Sequence, residues 1–351
     1  MTSRERVLAA LSGQPVDRVP CGPMMMDIGA VALGIPVGRY ATDADLMARS
    51  QLTLHEQIGQ DIIFLGCDNY YIAEGFGCVS EQPEDETPHL AKPPCSEIGE
   101  ARNLRVPDPQ KDGRMPLFLD ATRQVRRAVG DEVAIRTPGT GPFALASYFI
   151  GTQEWLIEIA LANADMPGSD REALHHALEL SSDALIEFGK ACFDAGADLL
   201  HCGDSLSSCD VISPKDYEEW AFPYQRKVIT AWKEHGAKTL LHICGDSSAV
   251  LDLYVQTGAD VIEVDHKVDL AYARKVVDGR CAIIGNLDPV TALLQGTPES
   301  VADASRRAMS VAAESEGGFI LGSGCAVPRP SPFENIRAMV EAARVSGPLL
   351  G

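Results

Sequence analysis

The sequence predicts a (β/α)8 barrel. Short apolar, β-branched runs alternate with stretches of helical periodicity, which is the pattern of a parallel sheet covered by helices. Eight such runs fit into 351 residues, a length that suits a barrel better than a doubly wound sheet. Because neither a Gly/Ser-rich linker nor a shift in composition divides the chain, we expect a single domain over residues 1–351.

The eight predicted strands follow one another along the chain with amphipathic segments between them. Each run is short enough for a strand and is bounded by Gly, Pro, Asp or Asn. In order, the runs are 18–26 (RVPCGPMMM), 61–68 (DIIFLGCD), 133–139 (VAIRTPG), 197–205 (ADLLHCGDS), 238–246 (KTLLHICGD), 259–265 (ADVIEVD), 281–288 (CAIIGNLD) and 317–325 (GGFILGSGC).

Helix signals fill the intervals between the runs. Thr2 and Glu5 suit a capping box at the first helix. Helical periodicity marks 213–236, which opens at Ser213 with Pro214 in the first helical position, and 299–318. The stretch at about 79–118 is rich in proline and acid and has no clear period, so we expect a long insertion after the second strand.

The charge balance excludes several classes of partner. Fifty acidic and thirty basic residues give a net charge of -20, which repels nucleic acid and anionic membrane. The amino terminus carries charges at Arg4, Glu5 and Arg6 and only a short apolar run, so it reads neither as a signal peptide nor as a membrane span. Ten scattered cysteines suit reduced thiols, and we expect a cytoplasmic protein.

A candidate metal site lies at the strand ends. His242 and Cys244 are two positions apart in the fifth run, so both side chains face the same side of the predicted strand. Cys325 ends the eighth run and opens onto the same barrel mouth. One imidazole and two thiolates suit Zn²⁺ and leave a fourth position for substrate. For the His-x-Cys pair by itself, a core histidine beside an inert buried cysteine is the alternative.

Other polar residues end the predicted strands and are candidates for orienting substrate. Asp68 and Glu263 belong to this group, and Tyr148 is a candidate for lining the mouth. The strand-end residues also suit N-caps or loop hydrogen bonds, and Tyr148 also suits the core. Neither a complete dinucleotide or P-loop motif nor a HExxH segment or nucleophile elbow is found in the sequence.

Four longer segments resemble the uroporphyrinogen decarboxylase superfamily: GQPVDRVP, GPFALASY, TGADVIEVDHKVDLAYARKVVDGRCAIIGNLDP and SPFENIRAMVEAAR. The resemblance implies a single (β/α)8 barrel and places Asp68 and Tyr148 where the decarboxylases keep an active-site aspartate and tyrosine. Two features depart from the decarboxylases. No arginine lies between Arg18 and Arg39, where they bind substrate carboxylates, and Ser323 stands where they have a histidine.

The chain is more similar to the branch of methylcobamide:coenzyme M and chloromethane methyltransferases, whose His-x-Cys and distant Cys map onto His242, Cys244 and Cys325. This resemblance implies a zinc-dependent methyltransferase. It implies methyl transfer between the cobalt of a corrinoid on a partner protein and a small molecule, such as the thiol coenzyme M. Glu263 is a candidate fourth ligand that leaves when substrate arrives.

Three alternatives stay open at the level of sequence. The same parts serve the reverse reaction, in which a methyl ether or methylamine donates its methyl group to Co(I). A metal-free uroporphyrinogen-type decarboxylase is the rival enzyme, and a metal-binding or corrinoid-binding scaffold is the rival without catalysis. The sequence carries no corrinoid-binding Asp-x-His-x-x-Gly segment, so the corrinoid is expected to arrive with its partner. A homodimer is compatible with the sequence.

Overall fold

The computed structural model describes residues 1–137, 139–313 and 317–348. Seven parallel strands form one curled sheet in the order β1-β4-β5-β6-β7-β8-β9, and β2 and β3 form a separate antiparallel hairpin. The strands are β1 (Ile62–Phe64), β2 (Val79–Glu81), β3 (His89–Lys92), β4 (Ala134–Arg136), β5 (Leu199–Gly203), β6 (Lys238–Ile243), β7 (Val261–Val264), β8 (Ala282–Leu287) and β9 (Phe319–Ser323).

The first predicted strand closes the barrel without becoming a regular strand. Cys21 forms a parallel bridge with Leu321 of β9, and its carbonyl accepts a hydrogen bond from the backbone N–H of Asp61, next to β1, at 2.7 Å. Pro20 and Pro23 flank this bridge and have no N–H to donate, so Pro20 cannot extend the pairing toward the start of β9 and Pro23 offers no donor on the β1 side. The predicted (β/α)8 barrel is confirmed, with residues around Cys21 in the place of its first strand.

Fourteen α-helices are present in the described residues, besides shorter 3-10 and π-helical turns. They are α1 (Ser3–Leu11), α2 (Ile28–Leu33), α3 (Val37–Thr42), α4 (Ala44–Ile58), α5 (Met115–Val129), α6 (Pro142–Ser147), α7 (Thr152–Asn163), α8 (Arg171–Asp194), α9 (Pro214–Asp216), α10 (Phe222–Glu234), α11 (Leu251–Gln256), α12 (Leu270–Val277), α13 (Pro298–Ala312) and α14 (Phe333–Arg344).

Two of the predicted helix starts are confirmed. Thr2 and Glu5 form the capping box of α1, with each side chain accepting from the backbone of the other residue. Ser213 caps α9, which begins at Pro214 and continues through a π-helical turn over Tyr217–Ala221 into α10. The predicted helix over 299–318 runs to Ala312, while residues 314–316 lie outside the described part, as does residue 138 of the third predicted strand.

The barrel interior has an apolar floor and a polar layer above it. Helix α1 covers the floor, which contains Ile62, Ala134, Leu199, Leu240, Val261 and Ile320. Side chains two residues further along a strand face the same side. The next interior layer toward the carboxyl ends therefore holds Phe64, Arg136, His201, His242 and Glu263, all of them buried.

The stretch predicted as an insertion contains the β2–β3 hairpin and a 3-10 turn over Ile98–Asn103, and α5 begins inside it at Met115. The hairpin loop is bound to two segments near the barrel mouth. The Thr87 hydroxyl donates to Asp27 at 3.0 Å, and the Arg329 guanidinium donates to the Asp85 carbonyl at 3.1 Å. The loop therefore lies beside the chain that follows Cys325. The single domain over residues 1–351 that the sequence predicts stays a prediction.

Candidate metal centre

Three side chains from two distant parts of the chain meet at the mouth of the barrel. The Nε2 atom of His242 lies 3.1 Å from the sulfur of Cys244, whose sulfur lies 3.3 Å from that of Cys325. One donor atom from each of the three residues falls within 4.8 Å of the other two. His242 and Cys244 share a face because they are two residues apart at the end of β6, and Cys325 follows β9.

The spacing of these donor atoms fits zinc. With Zn–S bonds of about 2.3 Å and Zn–N bonds of about 2.0–2.1 Å, neighbouring ligand atoms at tetrahedral corners lie about 3.5–3.8 Å apart. The two shorter separations here, 3.1 and 3.3 Å, need to widen by less than an ångström. A donor set of one imidazole and two thiols selects a borderline or soft cation such as Zn²⁺.

His242 is oriented with its free nitrogen toward the two sulfurs. Its Nδ1 atom lies 3.1 Å from the backbone carbonyl of Glu263, and because a carbonyl only accepts, Nδ1 carries the proton. The lone pair is then on Nε2, the atom that faces Cys244. A metal-binding histidine commonly donates its second N–H to a carbonyl or carboxylate in this way.

The two cysteines differ in acidity because they share a hydrogen bond. This bond lowers the pKa of Cys244, and the same bond together with burial raises the pKa of Cys325. Burial lowers the pKa of His242, but the hydrogen bond with Cys325 and the charge of Glu263 outweigh it and leave the pKa raised. Cys244 therefore gives up its proton first, and a bound cation would replace the second proton.

The site is closed on the side of the barrel interior and partly open on the side of the barrel mouth. His242 is buried, whereas Cys244 and Cys325 are both part-exposed. Ser205 places its hydroxyl 3.0 Å from the Cys244 sulfur. Gly245 turns the chain away directly after Cys244 with a φ of +82°, and a Cβ there would lie 2.4 Å from a carboxylate oxygen of Asp210. Only glycine suits this turn, which leaves the sulfurs facing the mouth.

Glu263, the candidate fourth ligand, has both of its oxygens engaged elsewhere. They accept hydrogen bonds from the Arg136 guanidinium at 2.8 and 2.6 Å. Oε2 lies 3.4 Å from Nδ1 of His242, the ring nitrogen on the far side from the sulfurs. The carboxylate therefore contacts the histidine and not the sulfur cluster.

Asp68 and Tyr148 lie on another side of the mouth. Both oxygens of Asp68 accept hydrogen bonds from Arg114 at 2.8 Å, and Arg114 also pairs with Glu74. Tyr70 contacts the Tyr148 ring at 4.9 Å between centroids, and burial raises the pKa of Tyr148. Within the described residues, neither Asp68 nor Tyr148 hydrogen-bonds to the two cysteines or His242.

Two residues near the site were not predicted from the sequence. Arg136 interrupts the apolar run VAIRTPG, and a charged residue two positions after the floor residue Ala134 was the available signal. Ser205 follows the capping position Asp204 in a polar strand end and carries no signal that separates it from a loop residue. Neither arginine nor serine is a usual zinc ligand, so the metal-ligand pattern does not include them.

Comparison with known proteins agrees with this geometry. The model of the family "Uroporphyrinogen decarboxylase (URO-D)" matches residues 2–345. A methylcobamide:CoM methyltransferase MtbA from Methanosarcina acetivorans is 32% identical over 98% of both chains. A uroporphyrinogen decarboxylase from Xanthomonas oryzae pv. oryzae is 30% identical over 98% of this chain and 99% of its own.

A solved structure described as a methyltransferase from Methanosarcina mazei superposes with a TM-score of 0.87 at 25% identity, covering 98% of each chain. In the described part of the chain, no helix combines the length and the apolar character needed to cross a membrane. These matches confirm the predicted resemblance to the methyltransferases of this superfamily. The chain belongs to the uroporphyrinogen decarboxylase family.

Proposed function

We propose that this protein is a zinc-dependent methyltransferase. It moves a methyl group between the cobalt of a corrinoid, carried by a partner protein, and a small-molecule thiol such as coenzyme M. The observation that carries the proposal is the convergence of His242, Cys244 and Cys325 at the barrel mouth. The similarity to the methylcobamide:CoM methyltransferase of Methanosarcina acetivorans supports the same reaction class.

His242, Cys244 and Cys325 would hold the zinc and leave a fourth position toward the mouth. When bound there, zinc would lower the pKa of the substrate thiol so that its thiolate predominates near neutral pH. The chain's own residues fix the arrangement. The Glu263 carbonyl sets the proton of His242 on Nδ1, and the barrel strands hold both sulfurs in place. Alignment of substrate and corrinoid at the mouth then supplies much of the rate.

Asp68 and Tyr148 are proposed to border the substrate pocket. Arg114 holds the Asp68 carboxylate in one orientation, and Tyr70 packs on Tyr148. In this arrangement Asp68 would fix the position of the mouth segment that contains Tyr70, and the Tyr148 ring would limit the size of the methyl donor or acceptor.

The test combines metal content with methyl transfer in one preparation. Wild-type protein is assayed for zinc, then mixed with free methylcobalamin and coenzyme M, homocysteine or 2-mercaptoethanol. A second set contains Co(I) cobalamin and a methoxylated aromatic. Stoichiometric zinc and cobalt–carbon cleavage with a thiol are the expected results. Methylation of Co(I) by the aromatic ether alone would assign the demethylating direction.

A metal-free decarboxylase is the competing function within the same family. Zinc-free wild-type protein that leaves methylcobalamin intact with every thiol would contradict the proposal. Decarboxylation of a porphyrinogen by that same preparation would then establish the competing function.

A further inference from the structure

A buried ion pair lies directly beneath the metal centre. Arg136 of β4 donates to both oxygens of Glu263 of β7 at 2.8 and 2.6 Å, and their exposed fractions are 1% and 0%. Within the described part of the chain, Glu263 is the one carboxylate that Arg136 binds. The two charges therefore cancel at close range in the interior of the barrel.

This pair is in contact with a metal-ligand candidate. Glu263 is the register partner of His242, and it approaches Nδ1 with its carbonyl at 3.1 Å and with Oε2 at 3.4 Å. Arg136 is held from two further sides. It donates to Nε2 of His201 at 3.1 Å, and its guanidinium carbon lies 4.3 Å from the centre of the Phe64 ring.

Folding stability alone does not account for the pair. A buried ion pair contributes little net stability compared with well-packed apolar residues of similar volume, because both charges must leave water. The layer just below is entirely apolar, so the barrel readily holds such residues there. The His201 ring adds no charge, since burial and the nearby Arg136 lower its pKa well below the usual value. A charged pair at this depth points to a role in the site.

We propose that Arg136 is a positioning residue that neutralises Glu263 and so permits an anionic thiolate to bind next to His242. The inference rests on the proposed function. Zinc and two cysteine thiolates sum to zero charge, and Arg136 and Glu263 also sum to zero. An incoming thiolate then adds one negative charge beside the buried Asp265, whose carboxylate accepts a hydrogen bond from the backbone N–H of Gly245 at 2.9 Å.

The proposal fixes the sign of two opposite substitutions. Arg136→Gln leaves the Glu263 charge uncompensated and repels the thiolate. Glu263→Gln leaves the Arg136 charge uncompensated and attracts it. In a protein interior, one such charge within a few side-chain lengths changes affinity by about tenfold or more. The double variant restores the charge balance and is expected to bind thiol like the wild type.

The experiment uses cobalt(II)-substituted protein titrated with 2-mercaptoethanol, whose tail is uncharged, and follows the sulfur-to-cobalt absorption. The expected result is about tenfold weaker binding in R136Q, about tenfold tighter binding in E263Q and near wild-type binding in the double variant. Circular dichroism and thermal unfolding report whether each variant is folded. If R136Q does not fold, E263Q and the double variant decide the question.

A purely structural pair gives a different pattern. Removing either partner would then weaken thiol binding in both single variants, or in neither, and such a result would overturn the inference while the proposed function stands. Cobalt-loaded wild-type protein that binds no thiol would overturn the proposed function and this inference together.

Discussion

The sulfur atoms of Cys244 and Cys325 lie 3.3 Å apart although 81 residues separate them along the chain. Cys244 follows β6 and Cys325 follows β9, and two other strands lie between these in the sheet. The two sulfurs can meet only when the sheet has curled into a barrel. The candidate metal centre is therefore a product of the complete fold and not of any local segment.

Removal of metal is expected to expose this cysteine pair to oxidation. A disulfide requires sulfur atoms about 2.0 Å apart, so a small movement suffices once no cation holds them. Metal-free protein treated with oxidised glutathione should lose two thiols and yield one cross-linked peptide pair joining Cys244 and Cys325, while zinc-loaded protein stays reduced. Equal oxidation of both forms would show that metal does not occupy this site.

Cys325→Ala is expected to abolish stoichiometric zinc binding. The substitution removes one of three converging donors, and two donors hold zinc far less tightly. The matched control is Cys209→Ala, because Cys209 is also part-exposed and lies outside the cluster. Elemental analysis after dialysis should give zinc in the control and not in Cys325→Ala. Zinc retained in both variants would refute the assignment of Cys325.

Asp61→Asn is expected to destabilise the barrel by about 3–5 kcal/mol. Asp61 is fully buried and accepts hydrogen bonds from Arg6, Arg18 and the backbone N–H of Cys21. It therefore connects α1 and the segment around Cys21, which closes the barrel, to the start of β1. Losing the charge removes the carboxylate that the part-buried Arg18 binds and leaves the buried Arg6 paired with Asp17. Urea unfolding measures the change. The control Asp131→Asn alters an exposed ion pair and should change stability by less than about 1 kcal/mol.

If both aspartate variants lose the same small amount of stability, the account of barrel closure is wrong. The comparison is informative because the two substitutions are chemically identical and differ in burial.

Lowering the pH below about 6.5 is expected to destabilise the wild type more than the variant His175→Gln. The His175 ring stacks on Trp220 at 4.5 Å, and burial followed by the nearby charge of Arg171 lowers its pKa. The unfolded chain therefore takes up the proton more readily, and stability is lost as the pH falls. Since the side chain is only half-buried, the effect should stay under about 1 kcal/mol.

Urea unfolding near pH 7.5 and near pH 5.5 measures this difference. The exposed His89 provides the control, since His89→Gln should leave the pH dependence of the wild type unchanged. Identical pH dependence in His175→Gln and in the wild type would contradict the prediction.

Much of the barrel was predictable because its periodicity is local. Seven of the eight apolar runs contain regular strands, and the two-residue spacing of His242 and Cys244 directly implied a shared face. The first run was harder, because its apolar pattern does not reveal that Pro20 and Pro23 remove backbone donors on each side of Cys21, where only a single bridge forms.

The partners of the buried charges were not predictable. Arg136 and Glu263 are separated by 127 residues along the chain. Asp68 pairs with Arg114, which lies at the end of a segment without periodicity. Each ion pair depends on how side chains from distant strands and loops pack together in the folded barrel. A single sequence does not show that packing. The side chains of His242, Cys244 and Cys325 converge at the barrel mouth. Their roles as metal ligands stay predictions.

X-ray absorption at the zinc edge would examine the proposed zinc site itself, because it counts the sulfur neighbours of the metal with and without a thiol substrate. The account predicts two sulfur neighbours and one imidazole in the resting protein, and three sulfur neighbours once coenzyme M or 2-mercaptoethanol is added. A spectrum that does not change on addition of any thiol, or that shows four protein ligands from the start, would contradict it.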